Sequence, residues 1–81
     1  MKFSKLIGKA EEFVDGHEQG QPVVCTELNR LERLLDEKVV RYKAKLEETE
    51  DPRKREKLEA RLKVVNAQLR KSKKLSVQND C

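Results

Sequence analysis

Residues 26–50 read TELNRLERLLDEKVVRYKAKLEETE, and residues 51–74 read DPRKREKLEARLKVVNAQLRKSKK. In the first segment, apolar side chains recur every three or four residues, at Leu28, Leu31, Leu35, Val39, Tyr42 and Leu46. In the second segment, the same kind of spacing gives Leu58, Leu62, Val65 and Leu69. This periodicity is typical of a helix with one apolar face. The sequence therefore predicts two long helices, over about 26–48 and 52–74.

The two apolar stripes predict an all-α fold built on an antiparallel helical hairpin. Their residue numbers add to a nearly constant sum when the helices run in opposite directions, as in Tyr42 with Leu58, Val39 with Leu62, Leu35 with Val65 and Leu31 with Leu69. The turn falls at Thr49–Pro52, with Asp51 as the N-cap of the second helix and Pro52 as its first residue. Aspartate is a favoured N-cap, and proline suits the first helical position because its fixed φ is already helical. We expect a short turn between two helices.

A shorter amphipathic pattern precedes the hairpin. Its apolar face contains Phe3, Leu6, Ile7, Ala10, Phe13 and Val14. This pattern predicts an N-terminal helix over residues 1–15, with Ser4 as a possible cap and Gly16 just past its end. Residues 16–25 have the composition of a linker. Residues 75–81 show no periodicity and are expected to form a flexible tail.

The N-terminal helix has three interpretations. Its apolar face can pack on this protein's own hairpin, dock on a partner protein through Phe3, Leu6, Ile7 and Phe13, or lie on a membrane surface. The polar face has mixed charge, which does not favour the membrane. The sequence contains no apolar run long enough to span a bilayer, so no integral membrane span is expected.

Additional apolar residues favour self-association. They flank the two stripes at Leu34, Val40, Ala44, Ala60, Val64 and Ala67. This surface is wider than one partner helix covers. A homodimer, in which two hairpins form a four-helix bundle, is the expected arrangement. A three-helix monomer and a complex with a different protein remain alternatives.

The second long helix is strongly basic. From Asp51 to Lys74 there are ten bases and three acids, whereas residues 26–50 carry six bases and seven acids. Candidate contacts to nucleic acid or to an acidic partner are Arg53, Lys54, Arg55, Lys57, Arg70, Lys71, Lys73 and Lys74. The segment has no aromatic residue for base stacking and only Asn66 and Gln68 as amides for reading base edges. The alternative is that these lysines and arginines bind no partner and only keep the protein soluble.

The residues that catalysis or metal binding would need are sparse. His17 is the one histidine, and no phosphate-binding loop or paired-cysteine motif is present, so neither an enzyme nor a bound cofactor is expected. Cys25 and Cys81 lie at the same end of the predicted hairpin and could approach each other. In a reducing cytoplasm, the expected location, we predict two free thiols. A metal site made by these cysteines and His17 matches no standard spacing.

Taken together, these patterns predict a non-catalytic, homodimeric interaction module, such as an adaptor, a scaffold or an assembly factor. Binding of RNA or DNA by the basic second helix is the first alternative. Peripheral membrane attachment through the N-terminal helix is the second.

Overall fold

The computed structural model describes residues 2–81, which form three α-helices. Helix α1 spans Phe3–Glu18, α2 spans Cys25–Glu48 and α3 spans Pro52–Gln78. Within the described range no residue belongs to a β-strand. The predicted all-α class is confirmed. The structure has three helices of substantial length, rather than a hairpin with one short additional helix.

Helices α2 and α3 pack against each other in opposite directions, and a short turn joins them. The Asp51 side chain accepts a hydrogen bond from the backbone N–H of Arg53 at 3.0 Å, and Pro52 is the first residue of α3. This N-cap satisfies an amide that the start of a helix otherwise leaves unpaired. The turn therefore has the local chemistry that the Asp51–Pro52 pair predicts.

Helix α1 lies in the groove between α2 and α3. Its first turn meets α2 at Tyr42, where the Phe3 and Tyr42 rings make an edge-on contact with centroids 6.2 Å apart. Ten residues later, Phe13 lies beside Leu31 and Leu34. Position increases along α1 while it decreases along α2, so these two helices are antiparallel. The chain thus runs up, down and up through a three-helix bundle.

One core joins the three helices. Its buried members are Leu6, Ile7, Ala10, Leu31, Leu35, Tyr42, Val65 and Leu69. The bundle measures 44 × 19 × 19 Å and has a radius of gyration of 13.9 Å, compared with about 12 Å for a compact domain of this length. The bundle is a narrow rod, which suits a chain that is 42% charged and has few apolar side chains with which to fill a core.

Both α1 and α3 end in a Schellman motif. After α1, the N–H of Gln21 donates to the carbonyl of Gly16 and the N–H of Gly20 donates to that of His17. Gly20 has φ of 92°, a value that glycine adopts without a steric penalty. After α3, Cys81 bonds to Ser76 in the same way. These bonds pair carbonyls that the helix ends leave free.

The helix boundaries differ from the predicted ones at three places. Helix α1 continues through Gly16 to Glu18, because Gly20 rather than Gly16 takes the left-handed position, and Lys2 rather than Ser4 is its N-cap. Helix α2 begins at Cys25, within the predicted linker. Helix α3 continues to Gln78, so most of the segment predicted as a flexible tail is helical.

A disulfide bond joins Cys25, at the start of α2, to Cys81, just after α3. The Cα atoms are 5.4 Å apart, and no cysteine of the described chain is free. The prediction of two free thiols is wrong. Asp80 has φ of 54° in the Schellman motif, and the chain direction that results brings Cys81 back toward α2. Aspartate is one of the few non-glycine residues that tolerates this conformation.

Removing the disulfide should destabilise the bundle substantially. The two cysteines are 56 residues apart in sequence, and closing a loop of this size lowers the entropy of the unfolded chain by an amount worth about 4 kcal/mol. We expect Cys25→Ser with Cys81→Ser to lower the free energy of unfolding by up to that amount, measured by urea denaturation followed by circular dichroism. Reducing the wild-type protein should produce the same loss. Equal stability of the oxidised and reduced proteins would show that the bond does not constrain the chain.

Candidate interaction surfaces

The predicted seam residues lie between α2 and α3. Six of them are buried, namely Leu28, Leu31, Leu35, Tyr42, Val65 and Leu69. The other four are partly buried, namely Val39, Leu46, Leu58 and Leu62. Three of these four pack against the buried core. The stripes identified in the sequence therefore hold one chain together, and they leave only part of their surface for a second protein.

The N-terminal residues proposed to dock on a partner are part of this protein's own core. Leu6 has no exposed surface and Ile7 is 9% exposed, while Phe3 and Phe13 are partly buried against the same cluster. The structure thus places the helix as the first of the three interpretations describes. Docking on a partner or a membrane through this face requires α1 to leave the groove. The free energy gained by burying these side chains in the groove would then be lost, and the new contact would have to replace it.

The basic residues of α3 are all exposed to solvent, including Arg53, Lys54, Arg55, Lys57, Arg70, Lys71, Lys73 and Lys74. They are distributed around the helix rather than along one stripe, since residues 70 and 71 or 73 and 74 project about 100° apart. The two amides that could read base edges differ in access. Asn66 is partly exposed, whereas Gln68 is 7% exposed and lies in the interior.

Arg55 has a structural contact that sequence reasoning missed. Its Nη1 donates to the carbonyl oxygen of Leu46 at 2.7 Å and to that of Thr49 at 3.0 Å. Both carbonyls lie at the C-terminal end of α2, where backbone oxygens lack helical partners and the helix dipole favours a cation. Arg55 is therefore committed to the turn between α2 and α3, and its guanidinium is less available to an external anion than its neighbours.

Truncating Arg55 should weaken the hairpin. We expect Arg55→Ala to reduce the free energy of unfolding by about 1 kcal/mol, because two carbonyls at the end of α2 lose a charged donor but remain accessible to water. Lys54→Ala is the matched control, since Lys54 is an exposed cation of the same turn for which the structure shows no such hydrogen bond. Urea denaturation of both variants measures the difference. Equal losses would mean that the Arg55 contacts do not stabilise the turn.

A second basic region lies where the three helices meet near Phe3. A cleft of about 350 Å³ opens there, and its cationic side chains are Lys2, Lys38, Arg41, Lys45 and Arg61. Arg61 lies over the Phe3 ring at 5.5 Å, and Lys38 lies 5.9 Å from the centre of the Tyr42 ring. Lys38, Arg41 and Lys45 recur at helical spacing, a signal visible in the sequence. Their convergence with Lys2 and Arg61 depends on the packing of α1.

Another cavity is a groove between α1 and α2. It has a volume of about 380 Å³, with Phe13, Leu31 and Leu34 among its apolar lining and both signs of charge at its edges. Across residues 2–81, no group of three or more histidine, cysteine or acidic side chains is arranged to hold a metal ion. Both cysteines of the three-residue metal site considered from the sequence are in the disulfide. No helix of the described chain has the length and apolarity needed to cross a bilayer.

Comparison with known proteins yields no relative for this fold. No protein-family model, curated protein or solved structure matches the chain at a significant level. The interpretation of its surfaces therefore depends on their own chemistry.

Proposed function

We propose that the protein is a non-catalytic interaction module that acts as a homodimer. The observation that carries this proposal is the exposed flank of α2 on the side away from α1, where Val40 is 68% exposed. Leu34, Lys38 and Arg41 line the clefts next to α1. At about 100° per residue, Val40 projects roughly 100° to 160° away from these three residues, on the solvent side of the same helix. We call this flank the back face of α2.

The charges of the back face favour a second copy of the chain over a different partner. The exposed residues along it are Arg33, Asp36, Val40, Lys43, Ala44 and Glu47. If two α2 helices pack antiparallel about a two-fold axis at Val40, Arg33 of each copy faces Glu47 of the other, and Asp36 faces Ala44 and lies beside Lys43. An isologous interface requires this self-complementarity, because one patch must fit itself. The small Ala44 side chain permits close approach of the two helices.

This arrangement modifies the dimer expected from the sequence. Helix α1 occupies one side of the hairpin, so the surface left for a partner is narrower than the whole apolar flank of two helices. We propose that α2 of one copy contacts α2 of the other, so that the dimer has six helices with the two α2 helices at its centre. This replaces the four-helix bundle expected from the sequence. The apolar centre of the contact between the α2 helices is small, and its charged edges set the direction of pairing.

A charge at the proposed two-fold axis should dissociate the dimer. Val40→Glu brings two carboxylates together and removes the apolar contact of both valines, each worth about 1.5 kcal/mol when buried, so we expect at least a hundred-fold weaker association. Val77→Glu is the matched control, because Val77 is 79% exposed and lies outside the back face. Sedimentation over a range of concentrations measures both. A wild-type protein that stays monomeric at every concentration would refute the dimer.

The pairing direction has its own signature in the same experiment. Arg33→Glu alone should weaken association, whereas Arg33→Glu combined with Glu47→Arg should restore it, since the swapped charges again face each other across the axis. Additive losses in the double variant would exclude this antiparallel arrangement even if a dimer forms.

Nucleic-acid binding is a second candidate, and the observation that favours it is the full exposure of the α3 cations. These side chains would contact phosphates rather than bases, because Gln68 is buried and α3 has no aromatic residue. Such binding is electrostatic, so it recognises charge and backbone shape and weakens steeply with salt.

Salt dependence tests this second candidate. If α3 contacts phosphates, Arg70→Gln with Lys74→Gln should reduce the slope of log affinity against log salt concentration by about 1.8 for duplex DNA, or about 1.4 for a single strand. The control, Lys5→Gln with Lys9→Gln, removes the same charge from α1 and should leave the slope nearly unchanged. Fluorescence anisotropy with labelled oligonucleotides measures both. Equal changes in the two variants would indicate attraction by net charge without a defined α3 surface.

A further inference from the structure

We propose that the cleft between the N-terminus of α1, α2 and α3 is a binding site for a compact polyphosphate anion. Five cations line it, namely Lys2 at the N-cap of α1, Lys38, Arg41 and Lys45 on α2, and Arg61 on α3. No carboxylate lies among the lining residues that the structure describes. This site is separate from the α3 contacts and the back face of α2, and it does not depend on either proposed function.

The concentration of charge in the cleft is unusual for this chain. The protein has nineteen lysines and arginines and fifteen acidic residues. Setting aside the five cations of the cleft leaves fourteen bases against fifteen acids, so the rest of the chain is nearly neutral. Like charges that share a cleft repel one another, and their positive potentials add there even though most of these side chains are exposed to solvent. A multivalent anion would remove this repulsion.

Two of the cations have contacts that orient them. Arg61 lies over Phe3 and Lys38 over Tyr42, and the two rings contact each other edge-on. Tyr42 is only 3% exposed. Because the rings are fixed in the core, they restrict the side chains that lie over them, so part of the entropy cost of holding a ligand is met when the protein folds.

The start of α1 borders the same cleft. Phe3 and Ser4 line it, and they belong to the first turn, whose amides lack helical acceptors. The N-cap, Lys2, provides no side-chain hydrogen bond, and the first turn contains no acidic residue. Helix N-termini attract phosphate through these amides and the helix dipole. Here they add to the five cations already converging on the cleft.

The shape of the cleft indicates the class of anion. Its volume of about 350 Å³ admits a small molecule, and the five cations suit an anion with several charges better than a single phosphate. Tyr42 is 3% exposed and Arg61 already lies over the Phe3 ring, so a base finds little open aromatic surface on which to stack. We therefore expect recognition of linked phosphate groups, whether free or carried by a nucleotide, without selectivity for the base.

Calorimetric titration with inorganic triphosphate at low salt tests the site. Arg41→Gln with Lys45→Gln should weaken binding at least ten-fold, while Lys63→Gln with Lys73→Gln, which removes two charges from the far flank of α3, should change it less than three-fold. All four substituted positions lie within helices, and glutamine has nearly the same helix propensity as lysine and arginine, so circular dichroism of both variants should match the wild type. Absence of triphosphate binding by the wild type, or equal losses in both variants, would overturn the proposal.

Two further measurements distinguish the ligand source and the binding position. ATP and inorganic triphosphate should bind with similar affinity if the linked phosphates alone are recognised, whereas much tighter binding of ATP would show that the base is also read and would overturn the charge-only site. Amide chemical shifts on adding triphosphate should change most at residues 3–5 and 38–45. Changes confined to residues 70–74 would place the anion on α3 and refute the cleft.

Discussion

The contact between α2 and α3 is the interaction on which the rest of the fold depends. Their stripes of apolar residues leave a groove on one flank, and α1 is stable only because it fills that groove with Leu6, Ile7 and Ala10. An isolated helix of sixteen residues that contains two glycines is marginal in water. The seam is held at both ends, by Asp51 and Arg55 at the turn and by the disulfide at the open end. The contacts at the turn and the disulfide therefore stabilise a bundle whose core is thin.

Sequence periodicity predicted the parts of the fold that depend on neighbouring turns of one helix. The long helices, the Asp51–Pro52 turn and the burial of Leu28 and Leu35 follow from local spacing and from well-understood capping chemistry. The helix ends are harder to predict from the sequence, because more than one residue near each end can act as the cap. Both Gly16 and Gly20 can end α1 by local pattern, and the structure shows the left-handed conformation at Gly20.

The features that sequence reasoning missed depend on contacts between distant residues. The disulfide requires Cys81 to turn back toward Cys25, and this happens because Asp80 adopts a left-handed conformation after an α3 that is longer than the periodicity suggests. Disulfides persist in oxidising compartments. The free thiols were predicted because a reducing cytoplasm was the expected location, and the disulfide does not support that reasoning. Likewise, the basic cleft exists only because α1 brings Lys2 and Phe3 to Arg61.

The distribution of charge in space differs from its distribution along the sequence. Along the chain, α3 is the most basic helix, and the sequence therefore indicates α3 as the binding surface. In the folded protein its cations point in several directions, and Arg55 is occupied at the turn. The neutral helix α2, in contrast, presents Lys38, Arg41 and Lys45 on the flank that meets α1 and a balanced set of charges on the opposite flank. Because an anion responds to local field rather than to the charge of a helix, α2 contributes most to the proposed anion site.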